Sequence, residues 1–511
     1  ANTTLTSTGA AISASTIDGG YSLTINSAAA QSLTSAIGSS TALTSINVST
    51  TSGNLTLGDD IAVTSTGTDA MIFNAGSSTA AGTSTGGNII ISGSPTFTTG
   101  SGGRMTYYTG SISGSTGLTS LIGSGSHRFR YNSDETTTNY SAALSSGKYA
   151  IYREQPTLTI TADNETVTYS TAPSESVTIT GMQNGDASAT VVTTDASISI
   201  GGDTSTSNNY IVGDHTITPS AAASTYGYGF SYSTGTLTVN TKALTIAGIT
   251  ASNKTYNGNT TATIDASAAT FTGLVDGDDV TVSATGTFDN KNVGTGKTVT
   301  LVETNGGDDV GNYSITDQGT TTANITQLSS VTWNGNAGDG LWSSASNWAG
   351  SAIPDQNNVA AVVIPSDESA TFDSDTVGTI GSTIANSGTL TFDGATDYTF
   401  GQVISGSGAL VKTNTNTLTL SATNTYSGNT TISAGTIKLT GNVSASTDLS
   451  IASGATLDLQ STQTFATLNL AGTISNSAGS SALTITDTSN IGGSITTSGT
   501  QTYSGAVTLS A

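Results

Sequence analysis

The chain has 511 residues, of which 9% are charged and 34% hydrophobic, with 61 Gly, no Cys and a formal net charge of −23. That length exceeds one ordinary core and points to several domains or a repeat architecture. The acidity excludes nucleic acid as a partner, since phosphate binding needs clustered Lys and Arg, and the lack of Cys excludes disulfides, thiolate metal sites and Cys nucleophiles.

Low charge combined with many β-branched residues argues against disorder and for an all-β chain, with Thr, Ser, Asn and Gly supplying the polar surface. A Cys-free chain also suits export through an oxidising periplasm, where a stray thiol would misbridge a long unfolded polypeptide. No apolar run approaches the ~20 residues that span a bilayer. The sequence begins at Ala1 without a Met, a basic n-region or a signal core, and it stops in mid-pattern in "GTQTYSGAVTLSA". It therefore reads as a segment of a longer, processed protein.

Residues 1–155 carry short alternating runs, "TLTST", "YSLTIN", "SINVST" and "NLTLGDD", separated by Gly, Ser and Asn. Alternation marks half-buried strands, and a recurrence of about 20–25 residues sits at the low edge of solenoid periods. The expectation is a parallel β-solenoid whose rungs stack ~4.8 Å apart. Every arginine lies between Arg104 and Arg153. There Arg128, Arg130, Lys148 and Arg153 interleave with Phe129, Tyr131, Tyr149 and Tyr152. On an acidic protein such a patch is a candidate site for an acidic or sulfated glycan. The preferred reading is structural: "RFRY" and "YAIYRE" are two strands that cap the solenoid, because a terminal rung must block its open edge.

At Pro156 the pattern changes to longer alternating strands, "PTLTITADNETVTYS" and "VTITGM", and Tyr228, Phe230 and Tyr232 alternate as an expected core face. The next block starts at Ala243 and contains "KTYNGNTTA". Asn257-Gly258 is a turn dipeptide, because both residues tolerate positive φ. Tyr256 and Tyr313 read as core-and-turn residues with buried rings and wet hydroxyls, in preference to a tyrosine-lined sugar platform. The densest acidic cluster is Asp276, Asp278 and Asp279, followed by Asp308 and Asp309. Closely spaced carboxylates on a Gly-containing loop are candidate calcium ligands, but the EF-hand and Gly-Gly-x-Gly-x-Asp patterns are absent. A solvated turn is the favoured reading, for these and for Asp59 and Asp60. No other cofactor is expected.

All three Trp fall in "VTWNGNAGDGLWSSASNW", and strand-like alternation resumes after them. Thr-x-Thr strings such as Thr417-Leu418-Thr419 raise ice templating as an alternative, which the irregularity of the repeats disfavours. Enzymatic chemistry finds no support. Glycan hydrolysis needs two positioned carboxylates in a cleft. Lys412 and Lys438 are the only cations after residue 340, and the only histidines are His127 and His215. His215 is expected to face solvent on its strand. The chain reads as non-enzymatic.

Several strings resemble known families. Residues 156–242 resemble the MBG-type repeat of large bacterial surface proteins, through "TVTYS", "GDHTITPS" and "STGTLTVNTK". Residues 243–328 resemble the YDG domain, through "KTYNGNTTATI", "GLVDGDDVTVS", "FDNKNVGTGKTVT" and "NYSIT", with Asn257 in place of the usual Asp. The Trp segment within 329–375 is similar to the stretch preceding autotransporter-associated β-strand repeats, and "GSGALVKTNTNTLTLSATNTYSGNTTISAGTIKL" is similar to the repeat itself, within 376–511. Residues 1–155 resemble filamentous-haemagglutinin-type adhesins through "RYNSDETTTNYSAALSSGKYAIYREQPT". The resemblances imply right-handed parallel β-helix segments flanking two small β-rich domains. They imply a non-catalytic adhesin or stalk on a bacterial cell surface, exported with an outer-membrane secretion partner. It would attach to a foreign surface or glycan by many weak contacts. The alternative is a self-assembling subunit of an extracellular filament or sheath, whose partner is another copy of itself.

Overall fold

The computed structural model describes residues 1–373 and 380–510. The chain is all-β, as its composition requires, and helices are confined to short turns such as Leu118–Ile122. Contacts divide it into two compact units: one comprises 1–242 with 275–279 and 308–314, the other 243–274, 280–307 and 315–511. The boundary expected at residues 375 and 376 lies outside the described residues.

In the first unit the strands Thr3–Ser7, Leu23–Ser27, Ile46–Thr50, Met71–Ala75, Arg104–Thr109 and Gly147–Tyr152 pair in parallel, in chain order. Their register lines up Leu5, Ile25, Val48, Phe73, Tyr107 and Ala150 as one column. Alternation places that column on the core face, and from Ile25 onward its members are buried. The Phe73 and Tyr107 rings stack at 5.3 Å. A second parallel stack, Gln31–Leu33, Leu55–Leu57 and Ile89–Ile91, feeds the same core.

This core continues through Tyr131, Tyr152, Leu158, Val191 and Tyr228. From residue 157 the sheets become mixed. Thr157–Ala162 lies between Gly229–Ser233, parallel to it, and Val177–Thr180, antiparallel to it. Gly213–Ser220 pairs antiparallel with Gly235–Asn240. The aromatic face expected at 228, 230 and 232 is covered only at one end. Tyr228 is buried, Phe230 half-buried and Tyr232 40% exposed, so the strand runs out past the core. His215 also departs from expectation. Its strand buries His215, Ile217 and Pro219 on one face, and the imidazole nitrogens lie 3.2 and 2.8 Å from the carbonyl oxygens of Gly201 and Ile211.

In the second unit the 13-residue strand Gly294–Gly306 pairs antiparallel with Thr281–Phe288 and with Thr320–Thr326. From Val331 onward every pairing between named strands is parallel among the described residues. An 8-stranded sheet aligns Leu390, Leu410, Thr430, Leu449 and Leu468, and a 6-stranded sheet aligns Leu418, Ile437, Leu457 and Ile474. Each sideways step in a sheet is one pass of the chain, roughly 20 residues, and each pass buries alternate side chains. Glycine makes the passes close. A Cβ on Gly408 would sit 2.4 Å from the Gly388 carbonyl oxygen, and one on Gly428 would sit 2.2 Å from that of Gly408.

The three tryptophans are core residues of this unit. Trp348 meets Trp333 and Trp342 edge-on at 4.9 and 4.6 Å, and its Nε1–H donates to the Trp342 carbonyl at 2.8 Å. Trp342 continues onto Phe372 and Phe392, so aromatic rings lead into the aliphatic columns of the parallel stack.

Candidate functional site

The basic and aromatic residues singled out between Arg128 and Arg153 do come together, but inside the first unit. Phe129, Arg130, Tyr131, Tyr149, Tyr152 and Arg153 are buried, and only Arg128 and Lys148 keep partial exposure. Phe129–Arg130 pairs with Gly147–Tyr152, which in turn pairs with Arg104–Thr109, so the two short strands lie at the end of the parallel stack. The residues named for a glycan, Arg128, Phe129, Arg130, Tyr131, Lys148, Tyr149, Tyr152 and Arg153, are thus turned largely into the interior of the unit. The cluster offers a ligand two partly covered cations and no open aromatic face.

Each guanidinium is occupied by backbone. Arg128 donates to the Ser146 carbonyl at 2.7 Å and lies over the Tyr149 ring at 5.1 Å. Arg130 donates to the carbonyls of Ala142, His127, Phe129 and Ala143 and covers Tyr226 at 4.6 Å. Burial pulls Arg130 below the usual arginine range. Arg153, fully buried, donates to the Ala75 carbonyl at 2.6 Å and to Asn74 Oδ1 at 2.5 Å, and its Nη2 lies 3.4 Å from Glu135 Oε2. Lys148 reaches the Leu121 carbonyl at 3.4 Å, and burial lowers its pKa. Cations in this site serve as hydrogen-bond donors to the chain's own turns.

Tyr131 leads to a residue that no sequence pattern marked. Its hydroxyl donates to Asp186 Oδ2 at 3.0 Å, and the Tyr228 hydroxyl donates to the same oxygen at 2.9 Å. Asn184 Nδ2 donates back to the Tyr131 hydroxyl at 3.1 Å, and the Tyr131 ring contacts Tyr152 at 5.6 Å and Tyr228 at 4.5 Å. Burial pushes the Tyr131 and Tyr228 hydroxyls up, so they stay protonated donors. Asp186 stands in "NGDAS", an unremarkable turn string, and only its tertiary neighbours reveal it.

The acidic loops form a second cluster of the first unit. Burial pushes Asp278 up, but hydrogen bonds from Ser207, Tyr169, Tyr313 and Ser205 outweigh it and hold the carboxyl below the usual range. Tyr169 and Tyr313 donate to Asp278 Oδ2 at 2.6 and 2.5 Å. Asp309 accepts the backbone N–H of Thr206 and of Asp279, and Asp279 accepts that of Asp308. Asp276 is exposed. Among the described residues no three His, Asp or Glu side chains converge as a metal cage. The tyrosine hydroxyls are not wet: Tyr313 bonds Asp278, and in the second unit Tyr256 donates to the Ile353 carbonyl and to Asp355. Gly258 adopts φ +77°, which its turn requires.

The Thr ladders of the second unit are only half regular. Thr417, Thr436, Thr456, Thr473 and Ser494 stand in register, whereas the neighbouring row reads Thr419, Lys438, Asp458, Ser475. A charged second row does not make a flat hydroxyl lattice.

Three family models match the chain: the MBG domain (YGX type) over residues 158–238, the YDG domain over 240–323 and the passenger-associated-transport-repeat over 410–439. No curated protein and no solved structure gives a match. No helix among the described residues is long and apolar enough to cross a membrane.

Proposed function

We propose, from the premise that its MBG and YDG domains and passenger repeat make this an autotransporter-type surface protein, that the chain is a non-catalytic stalk segment of a secreted bacterial adhesin. The observation that carries the reading is the parallel in-register stacking of both units. In this reading the parallel sheets of 1–155 and of the chain after the tryptophans are faces of right-handed parallel β-helices, the hand that roughly 98% of parallel crossovers adopt. Each added pass needs only its neighbour for burial, so length comes without a growing core. The 8-stranded sheet alone spans roughly 34 Å along its stack at ~4.8 Å per step. The MBG-like block 156–242 and the YDG-like block 243–328 stand between the two parallel stacks in chain order.

The protein is exported across the outer membrane by a secretion partner and held at the cell surface. Attachment is multivalent, with avidity replacing one tight site. Catalysis is no part of this reading: His215 is enclosed by carbonyls, and Arg130 and Arg153 donate to the chain's own acceptors. The second reading is a self-assembling filament subunit, favoured by the outward hydroxyl ladders that a second copy could meet.

Electron microscopy of the purified segment at rising concentration separates the two. Isolated thin particles at every concentration, together with retention of segment-coated beads on host-cell or matrix surfaces, support the stalk. Ordered fibres that grow with concentration make the partner another copy, and coated beads that detach like bare ones remove the adhesin reading.

A further inference from the structure

Asp186 is an acid of the first unit with a fully buried side chain, and one of its oxygens is unsatisfied. Oδ2 takes the two tyrosine hydroxyls, while Oδ1 has no hydrogen-bond partner. His127 Nδ1 lies 3.8 Å from that oxygen and is itself buried without a partner. The imidazole is 36% exposed, so protons reach it from solvent. Two further features hold the pair in place. His127 has a left-handed backbone, φ 58°, and its carbonyl is gripped by Arg130 Nη1 at 3.0 Å. On the opposite side the Asn184 carbonyl accepts the Gly125 N–H, and Asn184 Oδ1 accepts from Thr119.

We propose that His127 and Asp186 form a pH-responsive latch that closes segment 123–131 onto segment 181–186 as pH falls below neutral. With a neutral imidazole, the buried Asp186 oxygen lacks a charged donor. Histidine is the side chain that gains its charge between about pH 5 and 8, and His⁺ at this position supplies both the proton and the opposite charge. The other groups facing Asp186 hold their charge over that range: Arg130 stays cationic and Tyr131, Tyr152 and Tyr228 stay neutral, with Asn184 uncharged and Glu154 acting on Tyr152 from outside the pair. Burial raises the Asp186 pKa above its ordinary value, against the tyrosine bonds, His127 and Arg130. The pair needs Asp186 ionised, so the raised carboxyl sets the lower edge of the window: once Asp186 protonates, its attraction for a charged His127 is lost.

The test uses the whole chain. Hydrogen exchange of peptides covering 123–133 and 181–188, corrected for the intrinsic pH dependence of exchange, is followed from pH 7.5 to 5.5. Protection is expected to rise about tenfold in the wild type and to stay flat in His127→Gln. Asp186→Asn, which keeps the shape of the side chain and removes its charge, is expected to flatten the pH response of the same peptides as His127→Gln does. A pH slope equal to that of the wild type in either variant would overturn the latch. Failure of the adhesin reading would leave these outcomes untouched.

Discussion

Replacing Arg153 by Met separates an interior strut from a ligand contact. Methionine retains the apolar stem and roughly the length of arginine, but it removes the donors that reach the Ala75 carbonyl at 2.6 Å and Asn74 Oδ1 at 2.5 Å. Arg153 is fully buried, so no water takes over those acceptors, and each orphaned one costs about 1–3 kcal/mol. Glu135, at 3.4 Å, loses its counter-charge but is exposed enough to rehydrate. The guanidinium's own desolvation cost disappears with it, which offsets part of the loss, and the net expectation is about 3 kcal/mol. The assay is hydrogen exchange of peptides covering 71–77 and 147–155, because those strands carry the contacts. A loss of ~3 kcal/mol speeds exchange by about 150-fold where exchange follows the opening equilibrium. Arg153→Lys should fall between, since one ammonium cannot serve both acceptors as the planar fork does. A change under about threefold in the Met variant would refute the reasoning and return Arg153 to the candidates for ligand binding.

Trp348→Ala should cost about 3–5 kcal/mol in urea unfolding followed by fluorescence, which reads this cluster alone because all three Trp lie in it. Trp348→Phe, which keeps a ring but loses the donor to the Trp342 carbonyl, should cost only a part of that; equal losses would discount the hydrogen bond. Gly428→Ala places a methyl 2.2 Å from the Gly408 carbonyl and should lower stability by about 1–3 kcal/mol, whereas Thr431→Ala on the outward face should stay within ~0.5 kcal/mol in the same thermal melts. Asp278 has a folded-state pKa below its unfolded value. Its contribution is therefore complete above about pH 4 and is lost as pH falls through the lower folded value. Tyrosine near-UV dichroism in acid titration should show this loss, reduced in Tyr313→Phe. Because hydroxyl donors already occupy Asp278 Oδ2, EGTA should leave the melting temperature unchanged, and a drop of several degrees would establish a calcium site at Asp276, Asp278 and Asp279.

Local information in the chain was enough for the strand content and for the motifs of the MBG, YDG and passenger-repeat regions. Period-2 alternation, Asn257-Gly258 and the Gly-punctuated short runs are contacts between near neighbours, and they survive in the order of residues. The Arg128–Arg153 segment shows where that information ends. Composition showed cations and rings interleaved, and a surface patch and a buried cap have the same composition. The outcome depended on Asn74, Ala75, Ala142 and Asp186, which supply acceptors from distant passes of the chain. His215 and Tyr232 moved in opposite directions for the same reason: alternation assigns a residue to a face, but only the packed neighbours decide whether that face is covered. The sequence by itself determined the kind of strand and the punctuation between strands, because those rest on backbone propensity and side-chain period. The tertiary structure alone decided which charges were buried and paired, because pairing is a property of residues brought together by stacking and not of residues adjacent in the chain.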